Sequence, residues 1–221
     1  MEKADRKTRL RTNFHELELP KAVQDVETHS FWELLFLGIK LLDPNVVQLE
    51  TRPEHIRGAN GKSFVPDVRY RTSDGTDHYA LLCSAMEFQK QRSLLEPLFS
   101  AFAVQRSARY EFVSYEEVEA QQHFGWLGVK IGRLVQQYKD VDLDRVRALV
   151  RRAIAELGET TLGRLALLQE TCPAEWVIAA ACSMLLDGQL QIVDRDAKLD
   201  KSMKVRIGPK FVESERGTRH G

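Results

Sequence analysis

The chain has 221 residues, 43% hydrophobic and 29% charged, with 32 basic residues balancing 32 acidic ones. This is an ordinary composition for a soluble globular protein and allows one large domain or two of about 100 to 150 residues. It excludes a surface that is basic throughout, so any nucleic-acid contact must be local or shared with a partner.

Cys83, Cys172 and Cys182 are odd in number, widely spaced and without a Cys-x-x-Cys pattern. They read as reduced thiols in a cytoplasmic protein without structural zinc. Met1 to Thr12 is too charged for a signal peptide, and no run approaches the roughly 18 apolar residues of a membrane span. No membrane partner is expected. The six histidines show no metal-ligand spacing, and the segment from Arg57 to Ser63 is too short for a phosphate-binding loop.

Residues 1–28 form a polar arm with a basic cluster from Arg6 to Arg11. Ser30-Phe31-Trp32-Glu33 carries a capping-box pattern, which predicts a helix starting at Ser30 and ending before Asp43-Pro44. That pattern by itself accounts for Glu33. Apolar residues around the whole circumference predict burial of this helix. Val46 to Glu50 reads as a strand and residues 57–63 as a loop. Phe64 to Tyr70 and Tyr79 to Ser84 then read as a hairpin closed by Ser73-Asp74-Gly75-Thr76. Pro66 within the first run marks an edge, a bulge or a strand end. Asp67 beside it suits a Mg²⁺ ligand, because that ion takes one or two carboxylates plus water. From Pro-Asp alone, an acid that simply follows a proline near a turn is the preferred explanation.

Residues 87–107 have helical spacing, with Pro97 placing the helix start near Leu94 to Glu96. Glu87 and Lys90 then fall on the approach to a solvated helix face. A strand over Tyr110 to Val113 and a capped helix from Ser114 follow. The order helix, strand, strand, strand, helix, strand, helix predicts an α/β sandwich with a mixed sheet over residues 29–122.

Residues 123–210 differ. Helices over Gly125–Tyr138, Asp142–Leu157 and Leu162–Gln169, a third-helix segment from Ala174 to Leu186, and a terminal hairpin give a winged-helix-like layout. Residues 211–221 read as a flexible tail. The segment from Ala174 to Leu186 has no Arg or Lys, which favours protein docking over reading of DNA bases. Lys201, Lys204, Arg206 and Lys210 are the phosphate-contact candidates of the wing, and Lys62 is a further one near Asp67.

Glu33 behind Ser30, the helix exit Leu42-Asp43-Pro44-Asn45-Val46 leading to Glu50-Thr51-Arg52-Pro53, and Phe64-Val65-Pro66-Asp67 together resemble TnsA. TnsA is the endonuclease subunit of heteromeric DNA transposases. The resemblance covers residues 27–120 and implies a restriction-endonuclease-like fold of the PD-(D/E)xK type, a mixed sheet flanked by helices. It implies Glu33 and Asp67 as ligands of Mg²⁺ or Mn²⁺, transposon-end DNA as substrate, and a transposase and a TnsC-like ATPase as partners. The family's third motif, Glu or Gln two residues before Lys, falls on Leu82 and Ser84. Leucine cannot hold metal and serine carries no charge, which implies weakened or lost cleavage. Glu87 as a third ligand and Lys90 as a displaced catalytic lysine would rescue an active endonuclease. A non-nuclease winged-helix adaptor, with no cofactor, is the remaining alternative.

Overall fold

A computed structural model of the chain describes residues 15–57, 63–168 and 172–211. The basic cluster from Arg6 to Arg11, Lys62 and nearly all of the tail beyond residue 210 lie outside them. The chain opens with an antiparallel pair, β1 (His15–Leu17) and β2 (Val26–Thr28). Helix α1 (Phe31–Leu41) begins after Ser30, whose extended backbone leaves its Oγ free to accept the Glu33 N–H at 3.1 Å. This satisfies one of the donors that a helix start leaves unpaired. The predicted capping box is half made, because the Glu33 carboxylate turns back to the N–H of His29 at 2.9 Å instead of that of Ser30. At the other end Lys21 Nζ donates to the carbonyls of Leu41 (2.9 Å) and Asp43 (3.1 Å). Burial pushes the Lys21 ammonium down to about 8.

Four strands form the main sheet in the order β3 (Val46–Thr51), β6 (Val68–Thr72), β7 (Asp77–Cys83) and β8 (Arg109–Ser114). The first two pairings are antiparallel, and β7 with β8 is parallel. The expected first strand, residues 64–70, is split. Phe64 belongs to a two-residue ladder, β4 (Ile56–Arg57) with β5 (Ser63–Phe64), and the main-sheet strand starts at Val68. Strand β6 is central, so of the three readings of Pro66 the strand end holds and the edge does not. The proline sits where no ladder N–H is needed.

Helix α2 (Ala85–Arg106) crosses between β7 and β8. It is unbroken and begins at Ala85, twelve residues before Pro97, contrary to the expected start near Leu94. Ser84 and Glu87 form a complete capping box that fixes the start. Pro97 lies on the exposed side, while Leu95, Phe99 and Phe102 pack with Ile56 and Tyr79 in a small second core. That packing outweighs the lost helical hydrogen bond. On the other face Val68, Tyr70, Ala80 and Leu82 join α1 in the main core.

A capped turn, α3 (Tyr115–Glu119), leads into α4 (Gln122–Gln137), which packs on α1 at glycines. A Cβ built on Gly38 would meet Gly125 O at 2.0 Å, and one built on Gly128 would meet Gly38 O at 2.0 Å. Only glycine allows so close an approach. Then follow α5 (Asp144–Leu157), β9 (Glu159–Thr161), α6 (Leu162–Leu168), α7 (Ala174–Leu186), β10 (Leu190–Ile192) and β11 (Lys204–Ile207). The last three strands form an antiparallel sheet with β11 in the middle, so the expected terminal hairpin gains a third strand at β9. Helix α7 is buried nearly all round, and the main core runs without a break from α1 through α4 to α7. Among the described residues no helix is long and apolar enough to cross a membrane. Cys182 is buried with its thiol pushed up to about 12.

Candidate carboxylate site

Asp67 is the residue before β6, and its backbone is held on both sides. Its N–H donates to Ala80 O at 3.0 Å, and its carbonyl accepts from Arg52 N–H at 2.9 Å. With the backbone committed to the sheet, the side chain turns along β7 and Oδ2 accepts the Leu82 N–H at 2.7 Å. Glu33 enters from the first turn of α1, where it is 6% exposed. The two acids meet electrostatically. Burial pushes the Asp67 carboxyl up to about 7, against the pull of the Leu82 N–H; the Glu33 charge raises it further and Arg52 opposes. No described lysine or arginine lies at ion-pair distance from either acid.

Further groups surround the pair. The Cys83 thiol is pushed up by burial and then by the charges of Glu87, Asp67 and Glu116. The Tyr115 phenol is pushed up by burial and then by Asp67, Glu87 and Glu33. Four carboxylates therefore share one neighbourhood, with the Arg52 guanidinium as the cation acting on Asp67. Arg52 sits at φ 50, a left-handed conformation unusual for arginine, at the exit of β3.

The structure brings Glu33 and Asp67 together and sets the remaining site candidates apart in distinct ways. Glu87 lies in the neighbourhood but is committed to capping α2, with Oε2 accepting from Ser84 Oγ at 3.1 Å. Lys90 is exposed on α2, and its charge is not among those acting on Asp67. Leu82 is 5% exposed with its side chain in the main core, and Ser84 is the cap of α2. Lys201 is exposed, Lys204 faces Glu159 at 3.9 Å, and Arg206 donates to Gln191 Oε1 at 3.4 Å. Around them the loop between β10 and β11 sets Asp194, Asp196 and Asp200 against Arg195, Lys198 and Lys201. Lys210 donates to Pro44 O and so ties the end of the described chain to the α1 exit.

No family model and no curated protein matches this chain. Its chemistry is therefore read from the side chains themselves. Among the described residues no group of three or more His, Cys, Asp or Glu is arranged to hold a metal ion. Such a set is what a closed zinc site requires. A buried carboxylate beside a second acid whose charge raises its proton affinity suits a different occupant, a hard divalent cation that keeps most of its water. Glu33 and Asp67 fit that ion, and Glu87 is drawn away by its cap.

Arg52, Tyr115 and Glu116 are members of the site that sequence reasoning missed. Arg52 reads in the sequence as the strand end before Pro53 and as part of the Glu50-Thr51-Arg52-Pro53 run of the resemblance, with no role at the site. Glu116 was hidden by its neighbour, because Ser114-x-x-Glu117 accounts for the acidic pair as a cap. Glu117 makes that cap, whereas Glu116 Oε2 reaches back to Ala85 N–H at 3.4 Å.

Proposed function

We propose that this chain is a TnsA-like nucleic-acid-handling subunit. In this reading a restriction-endonuclease-like domain binds a divalent cation at Glu33 and Asp67 but has weakened or lost hydrolysis, and a winged-helix-like module docks a partner protein. The observation that carries it is the burial of Asp67 near Glu33 with no described lysine or arginine at ion-pair distance. Two facing carboxylates in a partly apolar site are costly unless something positive joins them.

The order of α1, β3, β6, β7, α2 and β8 supports the nuclease-like domain, with both acids at one end of the sheet. A bound Mg²⁺ or Mn²⁺ would supply water of lowered pKa and charge stabilisation at phosphorus. The chain's own residues do the rest. Glu33 and Asp67 hold the ion, the Leu82 N–H fixes the Asp67 rotamer, and the Arg52 guanidinium offers a phosphate contact. No ammonium stands at Ser84 to assist proton removal, and an arginine stays charged throughout. The site is thus better equipped to bind a phosphodiester than to cleave it.

The order of α5, β9, α6, α7, β10 and β11 supports the winged-helix-like module. Its α7 carries no basic residue, and the loop after β10 is charge-balanced, both of which favour a protein such as an ATPase or transposase subunit over DNA. Gel shift of DNA with and without Mn²⁺, run beside a plasmid-nicking assay, tests the proposal. Retention that requires Mn²⁺ and is lost in Asp67→Ala, with plasmid left intact, is the expected result. Rapid nicking would assign an active endonuclease, and no retention under either condition would favour the adaptor.

A further inference from the structure

Aromatic rings cluster at the start of α1, beside Glu33. Phe31 and Trp32 are the first two residues of α1, immediately before Glu33. Trp32 stacks on Tyr115 of α3, with centroids 5.7 Å apart and planes 19° apart. Phe31 meets Trp32 edge-on at 5.3 Å and Trp126 of α4 at 5.7 Å. Tyr115 lies close enough to the acids to feel Asp67, Glu87 and Glu33. Packing explains part of this shelf, since Phe31, Trp32 and Tyr115 lean on the main core. It does not explain the outer edge, where Trp126 is 37% exposed.

An apolar, aromatic rim beside four carboxylates has a narrow set of complementary ligands. The acids repel an anion unless a divalent cation sits between them, and the rings favour a flat, weakly polar face. One molecule presents both a phosphate for the cation and a planar ring a few ångströms away: a nucleotide whose base is not stacked in a duplex. Bases inside a double helix are stacked on one another and cannot reach a shelf, whereas splayed or single-stranded bases stack readily on aromatic side chains.

Building on the proposed function, we infer that the Phe31, Trp32, Tyr115 and Trp126 shelf takes an unpaired nucleobase beside the phosphate bound at Glu33 and Asp67. Single-stranded or frayed nucleic acid is then the preferred ligand over blunt duplex. Binding depends on a divalent cation, because without one the phosphate meets only carboxylates and Arg52.

The chain contains three tryptophans, Trp32, Trp126 and Trp176. In the full chain carrying Trp176→Phe, the remaining indole fluorescence reports on the shelf alone. Titration with an oligothymidylate in Ca²⁺, which supports coordination, is compared with titration by a blunt duplex of equal length. The oligothymidylate is expected to quench the indoles and bind about tenfold or more tighter than the duplex, and chelation of Ca²⁺ is expected to abolish the preference. Trp126→Ala is expected to weaken single-strand binding by about tenfold and leave duplex binding unchanged. Trp126→Phe, which keeps a stacking face, restores most of it. Equal affinities that Trp126→Ala does not alter overturn the shelf, as does a preference that survives chelation. An indole signal that neither nucleic acid changes also overturns it and leaves the rim to a protein partner. Calorimetry with Mn²⁺ separates the two ideas. Metal binding without strand preference removes the shelf alone, and absence of both removes the carboxylate reading with it.

Discussion

Residues 29–84 bury Glu33 and most of Asp67 with no lysine or arginine at ion-pair distance, whereas in residues 144–207 no charged residue among those described is buried. In that second region Arg147 pairs with Asp187, Arg151 donates to Gln189, and Thr160 is the only buried polar residue among those described. The main core is continuous across both, so the contrast is not between a well-packed half and a loose one. Removing charge from water without neutralising it costs stability, and a fold tolerates that cost where a ligand later supplies the missing charge. Under the proposed function, that missing charge is the cation that Glu33 and Asp67 would hold.

Four variants break or sharpen the contrast. The largest effect is expected where the regions join on α4. Gly128→Ala places a methyl group 2.0 Å from Gly38 O, backbone against backbone, and neither helix can yield without moving the core. A loss of at least about 3 kcal/mol in urea denaturation, or failure to fold, is expected.

Next comes Asp67→Asn. The ordinary Asp value is 3.8, and the folded-state value is about 7, so the folded chain binds this proton more tightly than the unfolded chain. The favourable contribution is fully present below about pH 4 and is lost as pH rises through 7. In chelator, wild-type stability should therefore fall between pH 5 and pH 8 by on the order of 3 kcal/mol from this group. Asp67→Asn keeps an acceptor for Leu82 N–H and should flatten that profile. A profile that keeps its slope in the variant would remove Asp67 as its source.

Ser84→Ala tests the cap that displaced the expected third motif. Losing the Ser84 side of the box should cost about 1 kcal/mol in thermal or chemical denaturation. The smallest effect is expected in the second region. Lys204→Ala with Arg206→Ala removes exposed, weakly partnered charges and should change stability by less than about 0.5 kcal/mol. DNA retention in a gel shift should also stay unchanged; a marked loss would make this surface a nucleic-acid contact and weaken the contrast.

Much of the fold was legible because local signals and tertiary packing agree. Ser30 starts α1, Asp43-Pro44 follows its exit, Gly75 turns the chain between β6 and β7, and the terminal strands pair as expected. The misplaced start of α2 came from weighing Pro97 above Ser84-x-x-Glu87. The proline proved harmless because its ring faces solvent, which no local pattern reveals. The α1 to α4 contact was hidden for a related reason, since Gly38, Gly125 and Gly128 matter only once the two helices are side by side. For the site, the sequence offered Glu33 and Asp67 as separate acids, each with a sufficient local explanation. Their mutual burial, the turn of Asp67 toward Leu82 N–H and the approach of Arg52 depend on strand register, which a linear pattern does not encode.

The central claim is that Glu33 and Asp67 together hold one hard divalent cation. Titration calorimetry with Mn²⁺ at pH 8, on wild type and on Asp67→Asn, tests it directly. The account predicts one ion bound per chain by the wild type and none by the variant. Absence of heat at millimolar Mn²⁺, or binding that survives Asp67→Asn unchanged, would contradict it.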